Sequence, residues 1–323
     1  RVTCMSTAEN ILPVNFKMDG RNQDSTCSAG EIAQLRSVVG SLAWICRQCR
    51  PELSYVCSKM QSIVPSATIK HLVKANKVLQ VSSGESQNGL TFFANAFDFN
   101  TAVLVTITDA SFANETKVTA DSVFPRRSQQ GRFTVLAGAG IWNGEESRMS
   151  VIGWKSTLIK RVCRSAMKAE THAMVAGVEE GSRLRAAIAD ARGLQDPKNW
   201  ESSSAKAMKH LWVTDCASLS SYLTNAAKAG CEDKRLEIDL EDLRQILWND
   251  ENDEQKEDIS VDQQDKVMWI DTSAMLADPM TKEMKPDHLL EALRNGKLSF
   301  EATAESQIAK MKKQKSRSKK DKN

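Results

Sequence analysis

Two apolar runs, "VLVTITDAS" (103–111) and "HLWVTDCAS" (210–218), both stop at Thr-Asp and continue into small residues. A single aspartate at a strand end is ordinary capping chemistry for the helix that follows. Two at the carboxyl ends of parallel neighbours would point Asp109 and Asp215 into one crevice, where α/β sheets collect ligands. Glu170 adds a third acid in an unusual place. In "RSAMKAETHAMVAGVEEGSRLRAAIADARG" (164–193) the apolar stripe runs through Met167, Met174, Val178, Leu184 and Ile188, and Glu170 lies on it. Carboxylates are seldom buried without a partner or a cation. A fourth, Asp278 in "SAMLADPMTK", precedes Pro279 as the first turn of a helix often does. Four converging carboxylates repel, so several must hold protons unless cations bind. Oxygen donors without a His or Cys cluster favour Mg2+, or Mn2+. Two such ions about 4 Å apart can activate a water and stabilise the leaving oxygen of a phosphodiester.

The surrounding pattern supplies elements to hold these acids. Residues 30–80 read as helices: Ile32, Leu35, Val39, Leu42 and Ile45/Cys46 recur at helical steps, and Pro51 separates one helix from the next. A third helix over 66–82 turns Ile69, Leu72, Val73, Val78 and Leu79 inward. After residue 90 the texture becomes strand-like. Residues 103–108 read as a strand covered on both faces, and 131–156 as a hairpin about Asn143-Gly144. The 164–193 helix ends at Gly193, and strands at 210–214 and 266–270 alternate with helices at 216–224 and 235–248. The expected fold is a mixed, five-stranded α/β sheet flanked by helices and preceded by a small helical segment.

Hydrophobic residues make up 41% and charged residues 26%, enough for a sizeable core. The net charge of +3 is uneven. Residues 306–323 carry eight Lys/Arg and one Asp, so the rest of the chain is at −4. Such a tail reads as a solvated arm for polyanions. A second basic run holds Lys155, Lys160, Arg161, Arg164 and Lys168 with no acid, and Arg126, Arg127 and Arg132 lie nearby in sequence; all are candidate phosphate contacts. Eight scattered cysteines fit a reducing, intracellular setting, and "CRQC" (46–49) lacks a second pair to complete a zinc site. No stretch reaches the roughly 18 apolar residues of a membrane span. The start at Arg1 fits a segment of a longer polypeptide.

The ordered motifs "TDAS", "SAMKAETHAM", "VTDCAS" and "MLADPMTK" resemble the ribonuclease H domain of copia-type (Pseudoviridae) retrotransposon polyproteins. "LRSVVGSLAWICRQCRPELSYVCSKMQS" is similar to that family's stretch between polymerase and nuclease, and "RRSQQGRFTVLAGAGIW" and "DKRLEIDLEDLRQIL" resemble further family segments. The resemblance runs from about 29 to 290. It implies a ribonuclease H-like fold, with Asp109, Glu170, Asp215 and Asp278 as catalytic ligands of two magnesium ions. Asp109 would bridge the ions, Glu170 and Asp215 would each hold one, and Asp278 would complete the second site. The implied reaction cuts the RNA strand of an RNA–DNA hybrid endonucleolytically during reverse transcription, in the cytoplasm or nucleus. The implied partners are that hybrid and an upstream polymerase portion, with neither a membrane nor a small-molecule cofactor.

The resemblance divides the chain into a polar leader (1–28), a helical connection segment (29–90), a ribonuclease H-like domain (98–300) and a basic tail (301–323). Three positions depart from the family: Thr171 stands where an aromatic is usual, Leu236 where a histidine is, and Ser111 where the first site often has a second Asp. An acid-rich loop, 249–258, reads as an insertion. These departures keep two alternatives in view: a non-catalytic nucleic-acid-binding descendant, and a different nuclease on the same sheet.

Overall fold

The computed structural model describes residues 1–113, 126–225, 231, 233–248 and 264–302. The acid-rich loop and residues 303–323 of the basic tail lie outside these residues. The chain opens with β1 (Val2–Thr3) and α1 (Met5–Glu9), followed by α2 (Ala29–Cys49), α3 (Ser54–Ile63), α4 (Ile69–Gly84) and β2 (Gly89–Leu90). Ser28 starts α2 with a reciprocal cap: its hydroxyl accepts the Glu31 amide, and the Glu31 carboxylate accepts the Ser28 amide. Arg21 sits on the same carboxylate and, with the Ser28 amide, holds the Glu31 pKa down at about 2. Leu35, Val39, Leu42, Cys46, Leu53, Ile69, Leu72 and Leu79 then share one core, as the helical stripe requires. Val73, expected inside, is 44% exposed.

Residues 1–28 are more ordered than their polar composition suggests. β1 pairs with β2, Ala8 and Val14 are buried, and Asn76 brackets Val14 with two hydrogen bonds of 2.8 Å. This docking depends on contacts over 60 residues away in sequence, which local patterning does not register.

The remaining elements are β3 (Val103–Ser111), β4 (Gln129–Ala137), β5 (Ser147–Leu158), α5 (Ala166–Ala191), α6 (Trp200–Ala207), β6 (His210–Thr214), α7 (Ala217–Thr224), α8 (Lys234–Trp248), β7 (Asp265–Trp269), α9 (Asp287–Asn295) and β8 (Lys297–Leu298). The sheet order is β7-β6-β3-β4-β5-β8, with β3, β6 and β7 parallel and β4, β5 and β8 added antiparallel. This is a mixed sheet flanked by helices, as expected of a ribonuclease H-like fold; two-residue β8 adds a sixth, edge strand to the five anticipated. All nine residues of β3 are buried, which explains why residues 103–108 show little polar alternation.

One face of the sheet packs Trp212 against Met174, Val178, Leu240 and Leu243 of α5 and α8. The opposite face packs Val105, Ile107, Phe133, Val135, Leu211 and Val213 against Met275, Leu276, Met280 and α9. The β4–β5 connection is longer than the two-residue turn expected from Asn143-Gly144. A short 3-10 helix (Ala139–Asn143) fills it and ends at Gly144, whose φ of +85° suits glycine.

Helix α5 approaches the sheet closely because it presents Gly177 and Gly181 to it. A Cβ at Gly177 would lie 2.5 Å from Thr108 Cγ2, and one at Gly181 would lie 2.2 Å from His210 Cε1. His210 is fully buried; it hydrogen-bonds Thr106 Oγ1 at 2.8 Å and accepts the Trp212 indole N–H at 3.0 Å. Burial pushes its pKa down, so the ring stays neutral inside the core.

Candidate metal centre

The β3–β6 register pairs Leu104 with His210 and Ile107 with Val213. Carried two residues further, it sets Asp109 beside Asp215 at the carboxyl ends of two parallel strands. Asp215 is steadied from the β7 side: Thr272 Oγ1 donates to its Oδ2 at 2.8 Å, and the Trp269 indole donates to its carbonyl at 2.9 Å. Asp278 opens a 3-10 turn, Asp278–Met280, with Pro279 in its first turn. The turn lies flat on β4 because residue 131, opposite Asp109, is glycine. A Cβ there would meet Thr281 Cγ2 at 2.8 Å and Met280 Cβ at 2.9 Å. Oxygens of Asp109, Asp215 and Asp278 lie within 4.8 Å of one another, the one metal-compatible group of its kind among the described residues.

Glu170 stands beside this trio rather than inside it. It is 7% exposed in the first turns of α5, after Ser165 caps the helix by accepting the Lys168 amide at 3.2 Å. Its Oε1 accepts the Ala110 amide at 3.1 Å, and its buried Oε2 has no hydrogen-bond partner. Burial, then Asp109 and Asp215, push its pKa up to about 9. Burial also raises Asp109 to about 7, opposed by Lys282 and reinforced by Asp278. Without bound cations the centre therefore stores protons at neutral pH.

Three residues that sequence reasoning left without a role complete the site. Thr281 Oγ1 donates to Asp109 Oδ2, and Ser111 Oγ donates to the Thr281 carbonyl at 2.8 Å. Lys282 Nζ lies 2.6 Å from Asp278 Oδ1 and 3.7 Å from Asp109 Oδ2, a built-in cation against two of the acids. The signal was the end of "LADPMTK": Thr and Lys three and four residues after Asp278 fall on the same side of a turn. Ser111 also accounts for one departure from the family pattern, since its hydroxyl pins the turn. The other two have local explanations. Thr171 Oγ1 bonds back to Met167 O at 2.8 Å, and Leu236 joins the apolar cluster under α8.

The basic candidates divide. Lys155, Lys160, Arg161, Arg164 and Arg126 are exposed, while Arg127 is half-buried. Lys168 is buried and paired with Asp233 at 2.7 Å, so it is not a free cation. Arg132 is also engaged: it donates to Ala176 O at 3.1 Å and lies 3.5 Å from Glu180. The cysteines of "CRQC" diverge, Cys46 contacting Ser54 at 3.3 Å and Cys49 contacting Cys4 at 3.1 Å. No helix among the described residues is long and apolar enough to cross a membrane.

Neither a family model nor a curated protein matches the chain. Among solved structures, it is similar to RNase H1 from the halophilic archaeon Halobacterium salinarum NRC-1, at 12% identity and a TM-score of 0.30, over 58% of this chain and 98% of that one. It is equally similar to an N-terminal RNase H domain from Mycobacterium tuberculosis, solved as a fusion with maltose-binding protein: 12% identity, TM-score 0.30, 60% of this chain and 97% of that one. Likeness at this level carries no chemistry; what the centre can do follows from its own atoms.

Proposed function

We propose that the chain is a divalent-metal-dependent endoribonuclease that cuts the RNA strand of RNA–DNA hybrids. We place it in the nuclease portion of a copia-type retrotransposon polyprotein, downstream of a polymerase and acting inside the cell. The observation that carries the proposal is the convergence of Asp109, Asp215 and Asp278 within 4.8 Å, with buried Glu170 beside them.

The residues present suit hard cations. The donors are all carboxylate oxygens, one Glu170 oxygen is buried without a partner, and a lysine ammonium already rests on the cluster. Asp109, Asp215 and Asp278 would hold the ions with Glu170 alongside. When bound, two such ions activate a water for in-line attack at phosphorus and stabilise the departing oxygen, leaving a 3′-hydroxyl and a 5′-phosphate. The protein's own part is preparation. Thr281 fixes Asp109 Oδ2, and Thr272 fixes Asp215 Oδ2. Asp109 and Glu170, whose pKa values burial raises, would have to give up their protons to hold such ions. Lys282, which rests against Asp278 and Asp109, would have to yield that place to a bound cation. Exposed Lys160, Arg161 and Arg164 lead from β5 into α5 and would grip the backbone. Choosing RNA requires reading the 2′-hydroxyl across the minor groove.

End-labelled RNA–DNA hybrid, duplex RNA and duplex DNA, each incubated with and without magnesium, test the proposal. Magnesium-dependent cutting confined to the hybrid's RNA strand, abolished by Asp109→Asn, is the expected outcome. Binding without cutting at any metal concentration indicates a non-catalytic descendant, and cutting of duplex DNA indicates a different nuclease.

A further inference from the structure

The turn that carries Asp278 is fastened by side-chain hydrogen bonds that begin in the helical segment. Gln129 is 4% exposed on the β4 face that also carries Phe133 and Val135, a position an apolar residue would fill. Its Nε2 donates to Ser58 Oγ of α3 at 3.0 Å and to Ser156 Oγ of β5 at 2.7 Å. Ser156 Oγ donates in turn to the Met280 carbonyl at 2.5 Å. Thr281, the next residue, donates to Asp109. The chain of contacts thus runs α3–β4–β5–turn–β3 and ends on a carboxylate of the metal centre. Two further ties hold the same helices in place. The Trp154 indole of β5 donates to Cys46 O of α2 at 2.9 Å, and Lys74 of α4 bonds Glu283, the residue after Lys282, at 2.9 Å.

We propose that helices α2–α4 are a working part of the carboxylate centre, with Ser58, Gln129 and Ser156 as positioning residues that set the Asp278 turn for divalent-cation binding. The inference rests on the metal-centre reading above. Its physical basis is the buried Met280 carbonyl, which loses its donor if Ser156 cannot supply one. An unpartnered buried acceptor is costly, so the turn shifts to find another donor and carries Asp278 and Thr281 with it. Hydrogen bonds that orient metal ligands in this way change affinity more than they change fold.

The test uses the full chain and an isosteric pair at one position. Ser156→Thr keeps the hydroxyl, whereas Ser156→Val keeps the shape and removes the donor. Magnesium affinity is measured by calorimetric titration, and metal-free stability by thermal unfolding in chelator. Cleavage of a labelled hybrid is followed against magnesium concentration. Ser156→Val is expected to bind magnesium roughly tenfold more weakly, with KM for the hybrid unchanged and the rate recovered at high magnesium. Ser156→Thr is expected to match the wild type. Ser58→Ala, on the half-buried surface of α3, reads the same chain should Ser156→Val fail to fold, with an expected loss of magnesium affinity smaller than that of Ser156→Val. Folded variants with wild-type magnesium affinity overturn the inference while leaving the metal centre intact. A wild-type protein that binds no magnesium overturns both.

Discussion

Asp109→Asn should make the metal-free protein more stable, and more so as pH rises. Asp109 titrates at about 7 in the fold, well above its ordinary value of 3.8, chiefly because it is buried. Between those values the folded protein holds a proton that the unfolded chain has released, so stability falls with rising pH until both states are ionised. The gap corresponds to roughly 4 kcal/mol when fully expressed. Asparagine is neutral and can still accept the Thr281 hydroxyl, so it escapes this penalty. The variant should therefore gain up to about 4 kcal/mol at pH 8 but less than about 2 at pH 5, where the wild-type carboxyl is protonated in the fold. Lost attraction to Lys282, 3.7 Å away, reduces the gain without reversing it. Urea unfolding in chelator at the two pH values measures the difference. Added magnesium should stabilise the wild type preferentially, because a ligand that binds only the native state adds to its stability. A variant less stable than wild type at pH 8 in chelator would mean that Asp109 serves a structural ion pair with Lys282, and the metal-centre reasoning would fail.

Glu170, raised to about 9, extends the same trend: metal-free stability should decline between pH 5 and pH 9, and magnesium should flatten that decline. A stability that rises over this range would contradict the buried, proton-storing centre. Lys282→Met removes the resident cation, so magnesium affinity by calorimetry should tighten by about tenfold, the worth of one charge-assisted hydrogen bond; weaker binding would assign the lysine a supporting role instead. Replacing Lys160, Arg161 and Arg164 by alanine should lower the slope of log affinity against log salt for hybrid binding by about 2 to 3. Lys168→Ala should leave that slope alone and lower only the melting temperature, because its ammonium is committed to Asp233. A salt slope equally changed by both variants would show that the basic run acts as a whole.

The positions of Asp109 and Asp215 were legible because an apolar strand ending in a charged residue is a local signal, and parallel pairing does the rest. Glu170 betrayed itself by lying on an apolar stripe, of which the structure buries Met174 and Val178 and half-buries Met167, Leu184 and Ile188. What sequence concealed was reciprocal. Lys168 read as a free cation because Asp233, its partner, is 65 residues away. Arg132 read the same way until α5 supplied a carbonyl and Glu180. The docked N-terminus and the exposed Val73 likewise depend on which surfaces the tertiary fold covers. Asn143-Gly144 carried the right turn chemistry, yet the short helix before it absorbs the connection.

The glycines of α5 bear on how activity could be lost. An alanine at Gly177 or Gly181 would collide with Thr108 or His210 and lever the helix off the sheet, withdrawing Glu170 Oε1 from the Ala110 amide. These positions lie about 10 and 16 Å along the helix from Glu170. A copy crippled there would keep every acid intact and look alive to any inspection confined to carboxylates, its fault recorded only where a side chain had been gained.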